Sequence, residues 1–143
     1  DIGEIYSVQG DDFKALDYFK KSLKIVLSVY GENHSQVSSI YDHIGEVYFA
    51  QKDYSKALYY FEESLKIRLS LFGENHPEVA LSYYSIGSLY IIQGDKSKAL
   101  NYYEKSLKIR LSVYGENHPL TKEIMDLINV ANSKVLQSPE TTK

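Results

Sequence analysis

Cysteine is missing from this chain of 143 residues, and so is tryptophan. Without cysteine there is no disulfide framework, no thiolate nucleophile and no thiolate metal site. That absence fits a reducing compartment, and an intracellular, cytoplasmic setting is expected. No apolar run approaches the roughly 18–20 residues of a membrane span, so a membrane partner is not expected. No signal peptide is visible. The formal charge is −3, and Lys and Arg are not clustered as phosphate binding would require, which argues against nucleic acid. There is no phosphate loop, no Gly-x-Gly-x-x-Gly, no His-Glu-x-x-His and no nucleophile elbow. The carboxylate pair Glu62-Glu63 falls on a helix surface without partners. No catalytic residue, no cofactor and no metal are therefore assigned, and the chain reads as a non-enzyme. Asn33-His34-Ser35 formally matches a glycosylation sequon and is taken as chance.

What is present is a repeat. Tyr30-Gly31-Glu32-Asn33-His34 returns as Phe72-Gly73-Glu74-Asn75-His76 and as Tyr114-Gly115-Glu116-Asn117-His118, at a step of 42 residues. Gly3, Gly45 and Gly87 keep that step, as do Ala15, Ala57 and Ala99, and Ser22, Ser64 and Ser106. A fixed period of this size marks stacked structural units. The units fall at about 1–34, 35–76 and 77–118. A segment at 119–136 follows, and then a polar tail at 137–143 that is expected to be disordered. Residues 1–9 align with 43–51 and 85–93, so the first helix reads as truncated, with further sequence upstream.

Within a unit the apolar spacing is helical. Phe13, Leu16, Phe19, Leu23, Leu27 and Tyr30 fall three or four apart, which puts them on one stripe of a helix over 12–30. The second unit reads as helix A over 35–51 and helix B over 54–72. Gly31 suits a helix stop. Pro77 and Pro119 mark first helical positions, because proline there forfeits no hydrogen bond. His76 then falls at an N-cap. Gly45 and Gly87 stand mid-helix, where each costs about 1 kcal/mol relative to alanine. Their recurrence predicts a close approach by helix B, with Ala57 and Ala99 opposite. The segment 119–136 has Asn129 and Asn132 where the units have glycine and tyrosine, so it reads as a capping helix. Lys66, Arg68, Lys108 and Arg110 read as a solvated face of helix B.

Tyr41, Ile44, Gly45, Tyr48, Ala57, Phe61 and Ser64, with Tyr83, Ile86, Gly87, Tyr90, Ala99, Tyr103 and Ser106, stand at positions that resemble tetratricopeptide repeats. The 42-residue period, the longer helix B and the Gly-x-x-His-Pro loop look like the kinesin-light-chain subfamily. The resemblance covers roughly residues 1–128. It implies an all-α fold: a right-handed α-solenoid of antiparallel helix pairs, forming a single domain over 1–136 with the last helix as cap. It also implies a concave groove, lined by helices A, that binds a protein or peptide.

Carried over position by position, the groove falls on Glu4, Asp42, His43, Glu46, Phe49, Leu81, Tyr84, Ser85, Ser88, Ile91, Ile92 and Asp126. Kinesin light chains usually carry paired asparagines in the middle of helix A; the matching pairs here are Asp42-His43 and Tyr84-Ser85. The Lys and Asn clamp of chaperone-binding repeats is missing. The groove therefore reads as acidic at one end (Asp1, Glu4, Asp42, Glu46) and apolar in the middle (Leu81, Tyr84, Ile91, Ile92). It would suit a partner segment with basic and large apolar residues. His43 beside Asp42 reads as a surface histidine rather than a switch. His34, His76 and His118 recur once per unit, too far apart for one ion with ligands at about 2 Å, and so read as loop caps. The leading function is a non-catalytic scaffold or adaptor; the alternative is a structural segment that self-associates through open solenoid ends.

Overall fold

The computed structural model describes residues 11–141, with side chains as far as Ser133. Among the described residues there are six helices and no strand: α1 (Asp12–Tyr30), α2 (Ser35–Ala50), α3 (Tyr54–Phe72), α4 (Pro77–Gln93), α5 (Lys96–Tyr114) and α6 (Pro119–Thr141). None of them is long and apolar enough to cross a membrane. The chain divides into two compact units, Asp1–Gly73 and Glu74–Lys143. In the first, α2 packs against both α1 and α3; in the second, α5 packs against both α4 and α6.

The helix limits follow from local chemistry. Asp11, Asp53 and Asp95 cap α1, α3 and α5, each accepting a hydrogen bond at Oδ1 from the backbone N–H three residues on. The lysine that supplies this N–H returns its ammonium to the same carboxylate at 3.6 to 4.0 Å. His34, His76 and His118 cap α2, α4 and α6 in the same manner, with Nδ1 accepting from the N–H two residues on at 3.1 Å. Each of these imidazoles therefore carries its proton on Nε2. Helices α1, α3 and α5 stop at Gly31, Gly73 and Gly115. All three have φ near +80° with ψ close to 180°, a region open essentially to glycine. It is the extended positive-φ region rather than the left-handed helical one.

The core of the first unit holds Ala15, Phe19, Val37, Ile44, Val47, Tyr48, Ala57 and Phe61. That of the second holds Val79, Ala80, Ile86, Leu89, Ala99, Tyr103, Ile109, Ile124 and Ala131. A methyl group added at Gly45 would stand 2.7 Å from the Phe61 ring and 3.3 Å from the Ala57 carbonyl oxygen. Gly87 repeats this against Tyr103 and Ala99, at the same two distances. The close approach expected from the recurring glycines is thus present, but the ring one turn beyond the alanine makes the tighter contact.

Three expectations need correction. Phe13 does not join the buried stripe: it is 84% exposed, and its repeat equivalents are Ser55 and Ser97, which also face outward. Arg68 and Arg110 are not on a solvated face: each is only 3% exposed, drawn inward by partners on the neighbouring helices. And α6 continues to Thr141 instead of ending at 136.

Candidate functional site

In the first unit the site begins on α2, where residues 42, 46 and 49 recur at helical spacing and share a face. Asp42 is turned toward α3. Its carboxylate lies 2.6 Å from Arg68 Nη1, and its side chain is 14% exposed. Burial pushes the Asp42 carboxyl above its ordinary range, against the opposing pull of Arg68 and the Ser64 hydroxyl. The His43 ring lies flat on Phe19, with centroids 5.0 Å apart and planes 10° apart, and its Nδ1 stands 4.0 Å from the Glu46 carboxylate. Glu46 is 66% exposed. Phe49 meets Tyr54 edge-on at 5.7 Å. A cleft of about 220 Å³ opens beside His43, lined by Tyr18, Phe19, Ser22, Gln36, Ser39, Ile40 and His43.

In the second unit Leu81 and Ile92 of α4 are 41% and 51% exposed. Tyr84, the repeat equivalent of Asp42, is half-buried. Its ring takes the Arg110 guanidinium at 5.3 Å, so an arginine in the same register meets a carboxylate in one unit and an aromatic face in the other. Arg110 also donates to the Leu120 carbonyl at 2.9 Å and approaches the Glu123 carboxylate at 3.8 Å. Ser88 shares a 2.9 Å hydrogen bond with the Tyr103 hydroxyl. Burial raises that phenol above its ordinary range, while the Ser88 bond lowers it. Ser85 and Ile91 are half-buried, and Asp126 on α6 is exposed.

Phe49, Ser85 and Ile91 of the sequence-derived set are half-buried, and eight others separate into two groups. Asp42, His43, Tyr84 and Ser88 are engaged by their own unit. Glu46, Leu81, Ile92 and Asp126 present more of themselves to solvent. Asp1 and Glu4 lie outside the described residues. Sequence reasoning missed Tyr18 and Phe19, which wall the small cleft from α1, because it assigned the face to helices A alone; Gln36, in the first turn of α2, lies before the positions carried over. The phase of α1 against α2, with Tyr18 one residue before the core Phe19, was the available signal. No group of three or more metal-ligating side chains occurs among the described residues. What the arrangement offers is noncovalent recognition by a mixed apolar and charged surface.

A repeating pair of antiparallel helices, glycine-packed within and capped by aspartate and histidine, defines an α-helical repeat protein. The chain belongs to the tetratricopeptide repeat family, whose model matches residues 1–70 and 37–112. No curated protein sequence matches it significantly. Among solved structures it is similar to BtubC (BKLC) from P. vanneervenii, with 23% identity and a TM-score of 0.85, over 94% of this chain and 54% of that one. It is also similar to a kinesin light chain with nearly identical TPR-like repeats from Podosopora anserina, at 16% identity and a TM-score of 0.82, over 97% of this chain and 66% of that one. The N-terminal domain of stress-induced protein-1 from C. elegans aligns at 21% identity with a TM-score of 0.61, over 87% of both chains. The chain therefore spans between about half and two thirds of the first two structures. The fold is the all-α tetratricopeptide fold of kinesin-light-chain-like repeats.

Proposed function

We propose that the exposed faces of α2 and α4 bind a partner peptide or domain, so that the chain serves as a non-catalytic adaptor or assembly scaffold. Tetratricopeptide repeats are in general protein-interaction scaffolds, and the likeness to kinesin-light-chain-like structures supports an adaptor role. The observation that carries the reading is local. Leu81 and Ile92 are large apolar side chains left 41% and 51% exposed on a helix whose other faces bury Val79, Ala80, Ile86 and Leu89. Large apolar side chains left exposed in this way are what a recognition surface needs. Among the described residues the charge rule is carried onto Glu46, which is 66% exposed, whereas Asp42 is buried against Arg68. A partner segment with a large apolar anchor and a basic residue suits this surface.

A random-peptide selection against the purified chain tests the reading, run beside Ile92→Ser and Glu46→Lys variants. Enrichment of apolar-anchored peptides by the parent, lost with Ile92→Ser, is the expected outcome. Loss of the basic preference with Glu46→Lys would assign the charge rule to that residue. If no peptide is enriched and the mass rises with concentration, the self-assembling structural reading replaces this one.

A further inference from the structure

The second unit contains an open cleft of about 560 Å³, away from the face just described, lined by Glu74, Asn75, Tyr83, Lys105, Lys108, Ile109 and Ser112. Its size falls within the range of ligand-binding pockets, about 300–1,000 Å³. The repeat supplies an internal comparison. One step of 42 back, the same seven positions hold Glu32, Asn33, Tyr41, Glu63, Lys66, Ile67 and Ser70. Six residue types are unchanged; the seventh is glutamate in one unit and lysine in the other. In the first unit Glu63 lies 3.5 Å from Lys66, so the acid and base neutralise each other. In the second unit Lys105 stands where that counter-ion would be, and Lys108 is left without it. Formally the first set carries two acids and one base, and the second carries two bases and one acid.

The cationic wall is held in place. Lys105 Nζ lies over the rings of Tyr83 and Tyr102, at 5.6 and 5.5 Å from their centroids, which restrains an otherwise flexible side chain. Asn75 donates to Ser112 Oγ at 3.2 Å and fixes the rim. Ile109 and the Tyr83 ring supply apolar floor. We propose that this cleft is a second docking site, taking an acidic peptide segment that carries a large apolar side chain. Carboxylates of the segment meet Lys105 and Lys108, and its apolar side chain lies on Tyr83 and Ile109. Concavity and uncompensated positive charge favour an extended peptide over a flat surface of another copy.

The test uses the full chain and a fluorescein-labelled peptide alternating glutamate and leucine, with a lysine-for-glutamate peptide as reference. Fluorescence anisotropy should show binding of the acidic peptide only, weakening as salt is raised. Lys105→Glu restores the lining of the first unit, so it is compatible with the repeat. It should weaken binding by about tenfold or more. The reverse change, Glu63→Lys, should raise the number of peptides bound per chain. Glu46→Lys should leave acidic-peptide binding unchanged, which separates this site from the exposed face of α2. Equal binding by the parent and Lys105→Glu, or by the acidic and basic peptides, overturns the proposal. So does loss of binding through Glu46→Lys alone, which would leave the exposed face of α2 as the reader. A parent dimer in sedimentation that Lys105→Glu dissolves would make the occupant a second copy, and overturns it as well.

Discussion

Arg68 has no counterpart in the first repeat, where Val26 stands at the same step. A buried guanidinium is tolerated in the second repeat because Asp42 meets it at 2.6 Å. Removing the guanidinium alone, as in Arg68→Leu, strands a buried carboxylate and should lower stability by about 3 kcal/mol in urea denaturation. A loss near zero would mean that Asp42 finds water instead. The same carboxyl gives a pH signature. Burial raises it above the ordinary 3.8, so it holds its proton more tightly folded than unfolded. Its favourable contribution is complete below the unfolded value and fades as pH rises through the folded one. The Tm of the parent relative to Asp42→Asn should therefore fall as pH rises across that window; a pH-independent difference would contradict the raised carboxyl. A second residue departs from its repeat. Lys52 has φ of 65° where the next unit has Gly94 at 84°, both within a turn in which the following aspartate N–H reaches back to a tyrosine carbonyl at 2.9 Å. A side chain in left-handed backbone is strained, so Lys52→Gly should stabilise by on the order of 1 kcal/mol. Thermal melts of Lys52→Gly and Gly94→Lys should move in opposite directions.

At the scale of the element, helix pairing rests on a glycine set against a ring. Gly45→Ala would gain helix propensity of about 1 kcal/mol. It would also push a methyl group to 2.7 Å from the Phe61 ring. That ring is 4% exposed, so it has little room to give way, and overpacking of this kind typically costs about 1–3 kcal/mol. Gly45→Ala should thus be destabilising alone and recover most of the loss in the Phe61→Leu background. A double-mutant cycle reads this as a coupling energy, and additive effects would show that the approach is not limiting. The limits of α1 to α5 and these close approaches were legible in the sequence because glycine and proline act locally. The fate of the arginines was not. Their direction depends on which neighbour stands across the interface, Asp42 in one unit and Tyr84 in the other, and charge pattern along one helix carries no record of that. Phe13 shows the converse: apolar spacing placed it inside, while the serines at its repeat positions already marked it as outward.

Across the whole molecule the 42-residue step was the most legible feature, and it carries the family assignment. The candidate site was less legible. Family positions name the face, but the repeat does not say which of them a unit has taken for its own packing. Asp42, Tyr84 and Ser88 are engaged in this way, whereas Leu81 and Ile92 are not buried. The loop histidines test how far one repeated device can be treated as a set of equal copies. His34, His76 and His118 each accept a backbone N–H at 3.1 Å, and two of them stack on the tyrosine that ends the preceding helix, Tyr30 at 4.3 Å and Tyr114 at 4.2 Å. Loss of an N-cap acceptor costs about 1 kcal/mol. His34→Ala and His118→Ala should each lower stability by that order. Because His34 holds Gln36 and Tyr30 while His118 holds Leu120 and Tyr114, their effects should add in the double variant. Asparagine at either position keeps an acceptor and should retain most of the capping contribution, losing the ring stack. If zinc raised the Tm of the parent and a chelator lowered it, the histidines would be ligands rather than caps. A Tm insensitive to both, together with additive losses for alanine and partial rescue by asparagine, is the outcome that repeated capping requires.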